Sequence, residues 1–283
     1  MEETIQQKTG SVKDILNILN KVNETFAYEV YVPSLNKYVL FRQINTSQQK
    51  RLLKAIIDSP AYNTEFIYAL KAIIEENCVE NIDINNLTIY DKMIIALSMR
   101  AMSIGNEFDI RFTVPVDDGS KEIVRKILLK DLIDKALEVI KIEPIVITDD
   151  KNVYTVYCSL PTISEEYKLE KELRNKTSSI EIKSENQLRE TIGEVFINEI
   201  VKYIKKINIK NDGEMIEIDL KEVSFKDRLE IIGKLPVLIN KNIIGYINNV
   251  NKEFEKVLLF KEQINGKTVE QRLSITADFF TVS

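Results

Sequence analysis

The chain has 283 residues, of which 39 are Lys or Arg and 44 are Asp or Glu, so its formal net charge at pH 7 is −5. This balance gives no support to nucleic-acid binding through a basic field, and the 44% hydrophobic content is ordinary for a globular protein. Histidine is absent, which removes the commonest general base and the commonest metal ligand.

The first predicted element is an amphipathic helix over Ser11–Lys21. Ser11 can cap this helix and Asp14 follows three residues later, which is a typical helix start. Its apolar residues recur at spacings of three and four, which predicts one apolar stripe. Such a helix either folds back on its own domain, the more common outcome, or docks on a partner. The stripe consists of Val12, Ile15, Leu16 and Leu19.

A short hairpin and three helices are predicted next. The turn residues between the strands begin with Pro33. The strands are predicted over Phe26–Val32 and Lys37–Gln43, and the first two helices over Thr46–Ile57, which the pair Ser59-Pro60 ends, and Thr64–Cys78.

The third helix of this group is apolar nearly all round and is predicted to be central. Thr88 opens it with Asp91 as capping partner, and Gly105 is placed to end it in a left-handed conformation. Arg100 lies among its apolar residues. Because an unpaired buried charge is costly, we expect a tertiary ion pair or contacts with backbone carbonyls there.

The middle third is predicted to be rich in β-hairpins. Apolar and polar residues alternate from Phe108 to Val116, as in a half-buried strand, and 121–129 can pair back. The segment 130–140 is a short helix or a loop that continues the sheet. A second hairpin spans 145–148 and 153–160, and a charged helix follows over Ser164–Lys176.

The C-terminal part is predicted to be mainly helical. A polar loop or hinge over Ser178–Ser184 precedes a helix over Asn186–Lys206, whose apolar residues recur at spacings of three and four. A turn at 211–213 comes next, then helices that begin near Ser224 and Pro236. The region Val269–Val282 is predicted to be a terminal strand.

No motif for catalysis is present in the sequence. It has neither a glycine-rich phosphate loop nor a G-x-S-x-G serine motif nor a Cys-x-x-Cys pair. The carboxylate pairs Asp117-Asp118 and Asp149-Asp150 fall at predicted turns, where Asp favours the turn itself. A glycosidase pair of acids that are distant in sequence stays open. We expect Cys78 and Cys158 to be reduced, buried thiols.

Several of these residues recur in an order and spacing that resemble the baseplate hub family of T4-type contractile-tailed phages. In that family a hairpin ending in Phe-Arg leads to a Lys-Leu-Leu helix and then to a helix closing in Arg-x-x-Ser-x-Gly. The matching positions here are Pro33, Phe41, Arg42, Lys50, Leu52, Leu53, Asp91, Arg100, Ser103 and Gly105, and near the end Pro236 and the pair Phe279-Phe280.

The resemblance implies a structural protein of the tail baseplate, made in the host cytoplasm and retained in the virion, that binds other tail proteins. It implies no catalysis, cofactor, metal, nucleic acid, membrane span or small-molecule substrate. The candidate contact surfaces are the stripe of the first helix and a terminal strand carrying Phe279 and Phe280, which could extend a partner's sheet. The alternatives are a hub assembly factor absent from the particle, a cell-wall hydrolase and a host-directed regulatory binder.

Many members of that family carry paired cysteines that suggest zinc knuckles. The corresponding positions here are 108–111 and 248–251, which contain no cysteine. We therefore expect two ordinary hairpins without zinc. The predicted fold class is α+β, divided into a tail and helix (1–22), a hairpin with three helices (23–106), a β-rich insertion with a charged helix (107–177) and a helical region with a terminal strand (178–283).

Overall fold

The computed structural model describes residues 11–58, 64–116, 119–178, 193, 195–197, 199–264 and 266–281. Helix α1 (Val12–Thr25) begins after Ser11 with the predicted capping box. Strands β1 (Ala27–Val32) and β2 (Lys37–Arg42) pair antiparallel, and Asn36 closes their connection with a φ of 49°. The predicted N-terminal helix and hairpin are confirmed, although α1 is one turn longer than expected.

Three helices follow the hairpin, as the sequence predicts. These are α2 (Thr46–Asp58), α3 (Thr64–Asn77) and α4 (Ile89–Ser103). Helix α4 is the central one, since six of its apolar side chains are buried. The Ser59-Pro60 pair lies outside the described residues.

The middle of the chain is β-rich, as predicted. Strands β3 (Glu107–Val116) and β4 (Gly119–Leu128) form a long hairpin, while Asp117-Asp118 lies outside the described residues. Helix α5 (Leu129–Val139) follows directly, so the helical alternative for this segment is correct. A four-stranded antiparallel sheet has the order β5–β6–β7–β8, with β5 (Ile145–Thr148) and β6 (Tyr154–Cys158) as the predicted second hairpin.

The helix predicted over Asn186–Lys206 is wrong at its C-terminal end. After α6 (Ile163–Ser178), described helical residues reach Val201, and the chain then enters strand β7 (Ile204–Asn211). Strand β7 pairs with β6 on one side and with β8 (Glu214–Asp219) on the other. Pairing with β6, which is distant in sequence, and with the following strand β8 decides its conformation, which helical spacing cannot anticipate. The predicted loop beyond Ser178 lies outside the described residues.

The C-terminal helices are α7 (Phe225–Lys234), capped by Ser224, and α8 (Val237–Leu258), for which Pro236 is the N-cap residue. Both predicted helix starts are confirmed. Residues 248–251, where a hairpin is expected, lie inside α8, so that prediction is wrong. The last hairpin is β9 (Leu259–Ile264) with β10 (Lys267–Arg272).

The predicted terminal strand over Val269–Val282 is also wrong beyond Arg272. Residues Asp278–Phe280 form a 3₁₀ turn, and both phenylalanine side chains are buried. Adjacent residues of a strand point to opposite faces, so a strand on the surface would leave one ring in water. The turn lets both rings enter the core.

The fold is α+β, with one continuous hydrophobic core to which the hairpin, the middle strands and the C-terminal helices all contribute. Among the described residues, no side chain of α1 belongs to this core. No helix in the described ranges has the length and apolar character needed to cross a membrane. The predicted division into four segments stays a prediction.

Candidate functional site

The carboxylate of Asp91 joins the N-terminal hairpin to α4. It accepts hydrogen bonds from the Thr88 amide at 2.7 Å and the Thr88 hydroxyl at 2.7 Å, and the Thr88 hydroxyl oxygen accepts one from the Asp91 amide. This capping box is the predicted one. A further bond, 2.9 Å from the Ser34 amide, comes from the hairpin turn. Because Asp91 is fully buried, these bonds offset the cost of removing its charge from water.

Arg100 joins the other end of α4 to the C-terminus of the chain. Its Nε donates to the carbonyl of Phe279 at 2.8 Å, and its Nη1 donates to the carbonyl of Gly105 at 2.7 Å. The guanidinium also lies 5.9 Å from the ring centre of Phe108. Of the two partners expected for this arginine, backbone carbonyls are the ones that it contacts. Burial lowers the pKa of Arg100.

Ser103 and Gly105 complete the end of α4. The Ser103 hydroxyl oxygen accepts a hydrogen bond of 2.8 Å from the Ile44 amide, which fastens the start of α2 to the end of α4. Gly105 has a φ of +150°, a region that L side chains rarely adopt. Gly105 therefore has a positive φ, but not the predicted left-handed helical conformation, whose φ is near +57°.

The remaining motif residues have different environments. Phe41 and Leu52 are fully buried core residues, whereas Lys50 is exposed and Arg42 is half-buried. The motif is thus mainly a set of structural contacts around α4, with few free functional groups. The half-buried members are Pro33, at the start of the 3₁₀ turn Pro33–Leu35, Arg42, Leu53, Ser103, Gly105 and Pro236.

Phe279 and Phe280 belong to the same structural cluster. The Phe279 ring centre lies 5.2 Å from that of Phe108, and the Phe280 carbonyl accepts a hydrogen bond of 2.5 Å from the Gln49 side chain. Only 1% of Phe279 and none of Phe280 is exposed. The prediction that these two residues form a partner-binding strand is therefore wrong, because their rings fill the core.

The predicted stripe of α1 is exposed. Val12 retains 75% of its accessible surface, and Ile15, Leu16 and Leu19 retain 51%, 55% and 50%. Ile18, which the predicted stripe does not include, is 59% exposed. The sequence left two outcomes open for this helix, which were packing on its own domain and docking on a partner. Within the described residues, the stripe is not packed on its own domain. The helix presents an apolar face of at least five side chains to solvent.

A cluster of paired charges connects α6 to β7, which sequence reasoning missed. Lys202 contacts the carboxylates of Glu170 and Glu199, and Lys205 contacts Glu165. Burial alone would raise the pKa of Glu165, but the nearby Lys205 ammonium group lowers it overall. Burial lowers the pKa of Lys205. Glu165 and Glu170 lie far in sequence from their lysine partners, so spacing signals only the Glu199–Lys202 pair.

Among the described residues, neither cysteines nor carboxylates form an evident reaction centre. Cys158 is buried, which raises the pKa of its thiol to about 12, and Cys78 is half-buried. The Asp149 carboxylate accepts hydrogen bonds from the Lys151 and Tyr154 amides, as expected of a turn residue. In the parts of the chain that the structure describes, no three Cys, Asp or Glu side chains are grouped to hold a metal ion.

Comparison with family models identifies a match over nearly the whole chain. The model of a family described as T4 bacteriophage base plate protein matches residues 24–280. The match thus runs from the residues before β1 to the buried Phe280, and it excludes most of α1. A search of curated proteins and a search of solved structures found no significant match.

Proposed function

The chain belongs to the T4 bacteriophage base plate protein family, and we propose that it acts in the hub region of a contractile tail by binding other tail proteins during assembly. The family makes it a phage baseplate protein, so other tail proteins are its expected partners. The hub location rests on the motif residues that surround α4. We propose that it is made in the host cytoplasm and remains in the virion.

The exposed face of α1 is the observation that carries the protein-binding mechanism. An apolar surface of this kind on an otherwise well-packed protein is typical of an interaction site. The contacts of Asp91 and Arg100 support the same mechanism in another way. They join the hairpin and the C-terminal turn to α4, and such contacts help surface residues to keep their positions toward neighbouring subunits.

We propose that this mechanism involves neither catalysis nor a cofactor. Two carboxylates with lowered pKa values have structural partners: Glu165 contacts Lys205, and Asp149 caps its turn. A hydrolase would need a carboxylate or nucleophile that is free to meet substrate. The cell-wall hydrolase alternative predicts a cleared band when the purified protein is run in a gel containing host cell wall, and we expect no clearing.

Mass spectrometry of purified virions tests the hub proposal. We expect peptides of this chain in intact particles, at an abundance comparable to that of other baseplate proteins. Tails purified from infections in which this gene is inactivated should lack a complete baseplate. If such infections fail to build baseplates although wild-type virions lack these peptides, the chain is an assembly factor and the virion proposal is wrong.

A second experiment tests the location within the baseplate. Chemical cross-linking of purified baseplates, followed by peptide identification, should join this chain to proteins at the tail axis. Cross-links to peripheral baseplate proteins alone would contradict the hub assignment and leave the family membership unaffected. An irrelevant virion protein, such as a capsid subunit, serves as the control for random cross-linking.

A further inference from the structure

We propose that copies of this chain associate with one another through α1, with its apolar stripe as the buried seam of a helical bundle. The inference rests on the protein-binding mechanism proposed above, and it names the partner of one surface. It does not depend on where in the baseplate the protein lies.

The spacing of the stripe is that of a coiled-coil seam. Val12, Ile15 and Leu19 follow one another at intervals of three and four residues, and Val22 and Phe26 continue the same alternation in the sequence. A repeat of this kind keeps the seam on one side of the helix and suits knobs-into-holes packing against another helix with the same repeat. The natural complement of the stripe is therefore a like helix.

The positions beside the seam favour self-association over pairing with a differently charged helix. In a heptad whose a position is Val12, the e and g positions of the first repeat are Leu16 and Ile18. Charged residues at e and g ordinarily set the choice of partner, because opposite charges attract across the seam and like charges repel. Apolar residues there impose no such repulsion, and they widen the face that an assembly of several copies can bury.

The exposure of the α1 stripe supports the same conclusion. The core of the described residues includes none of its side chains, and the family match begins only at residue 24. A helix of 14 residues is marginal in water without packing. The capping box alone contributes too little to maintain it, so a second surface must cover the stripe for α1 to be well populated.

The polar side of α1 does not oppose this packing. Lys13 and Asp14 lie at positions b and c of the heptad, which face away from the seam, and both are exposed. Because Lys13 and Asp14 carry opposite charges, they do not give the outer surface of α1 a charge of one sign. Copies can therefore approach through the seam without burying either group.

The full-length protein and a double variant test the proposal by sedimentation equilibrium. The chain mass is 32.7 kDa, and we expect wild-type protein to sediment at two or more times this value as concentration rises. Ile15→Asp with Leu19→Asp should return the mass to that of one chain, since two charges would be buried in the seam. The matched control is Val237→Asp with Leu238→Asp, which alters two exposed apolar residues at the start of α8 and should leave self-association intact.

Circular dichroism separates loss of association from loss of folding. Both double variants change exposed side chains, so their thermal unfolding midpoints should match that of the wild-type chain. Hydrogen exchange at low and high protein concentration gives a second readout. The amides of α1 should become protected as concentration rises, while those of α4 remain protected throughout.

Three results would overturn the proposal: a wild-type mass of one chain even at concentrations approaching millimolar, an Ile15→Asp, Leu19→Asp variant that still associates, or α1 protected only when another tail protein is added. The last of these would assign the stripe to a different partner. Each of them leaves the hub proposal standing, because virion mass spectrometry and baseplate cross-linking test that proposal without reference to self-association.

Discussion

Helices α1 and α4 begin with the same local signal and have opposite environments. Ser11 with Asp14 and Thr88 with Asp91 both form complete capping boxes. In α1 the carboxylate is exposed and bonds only within the box among the described contacts. In α4 it is buried and also accepts from the hairpin. A capping box therefore fixes where a helix begins, whereas long-range contacts decide whether the helix belongs to the core.

The two helices also differ in the surroundings of their apolar residues. Helix α4 is apolar nearly all round and is covered on most sides, as expected for a central helix. Helix α1 has one apolar stripe, and that stripe is exposed to solvent. We therefore expect α4 to contribute to stability and α1 to association, and single substitutions can test this division.

The largest effect is expected at Arg100. Arg100→Met keeps most of the aliphatic packing but removes two charge-assisted hydrogen bonds and leaves the carbonyls of Phe279 and Gly105 without this donor. We expect a loss of about 3 kcal/mol in the free energy of unfolding, measured by urea denaturation. The control is Arg125→Met, because Arg125 makes an exposed ion pair with Glu262 and should change stability by about 0.5 kcal/mol or less. Equal losses in the two variants would contradict the structural role of Arg100.

Asp91→Ala should have the next largest effect. It removes the reciprocal cap and also the acceptor of the Ser34 amide, so the hairpin turn loses its bond to α4. We expect a loss of about 2 kcal/mol, again by urea denaturation. Ser34 is exposed, so hydrogen exchange at its amide should accelerate more than exchange at amides in the middle of α4. An unchanged rate at Ser34 would argue against this contact.

Local patterns predict the secondary structure wherever sequence neighbours decide it. The capping boxes, the β3–β4 alternation and the Asp212-Gly213 turn are all recognised this way, and the structure contains each of them. The resemblance supplies the family. Neither the local sequence patterns nor the family resemblance predicts the Asp91–Ser34 hydrogen bond or the contact between Arg100 and Phe279, because these contacts join residues that are distant in sequence.

The two largest errors have the same physical origin. Ile204 and Ile207 continue the helical spacing of the preceding segment, yet both are buried in β7, where backbone bonds to β6 and β8 determine the conformation. Phe279 and Phe280 suggest a strand, yet the turn that they form directs both rings into the core. In each case the residues are apolar and buried, but the geometry that buries them depends on distant elements.

A smaller effect, which depends on pH, is expected at Glu165. Its pKa in the folded protein is below the ordinary value of 4.5, so its contribution to stability is present above pH 4.5 and is lost as pH falls through the folded value. Lys205 and Lys221 are the cations that face it. Glu165→Gln should cost roughly 1–2 kcal/mol at pH 7 and should flatten the decline in stability below pH 4.5. Denaturation at several pH values measures both effects, with Glu214→Gln on the exposed strand β8 as control.

The smallest effect on global stability is expected at Asp14, the counterpart of Asp91 in α1. Hydrogen bonds from the Ser11 hydroxyl and amide lower the pKa of Asp14, so the cap acts above that pKa and is lost when the carboxyl is protonated. Asp14→Ala should leave the midpoint of urea unfolding unchanged, because α1 contributes no side chain to the described core. It should instead reduce far-UV helicity slightly and weaken self-association, since the seam is presented only by a formed helix. A shift of the unfolding midpoint as large as that of Asp91→Ala would show that α1 is part of the folded core after all, and the division between the two helices would fail.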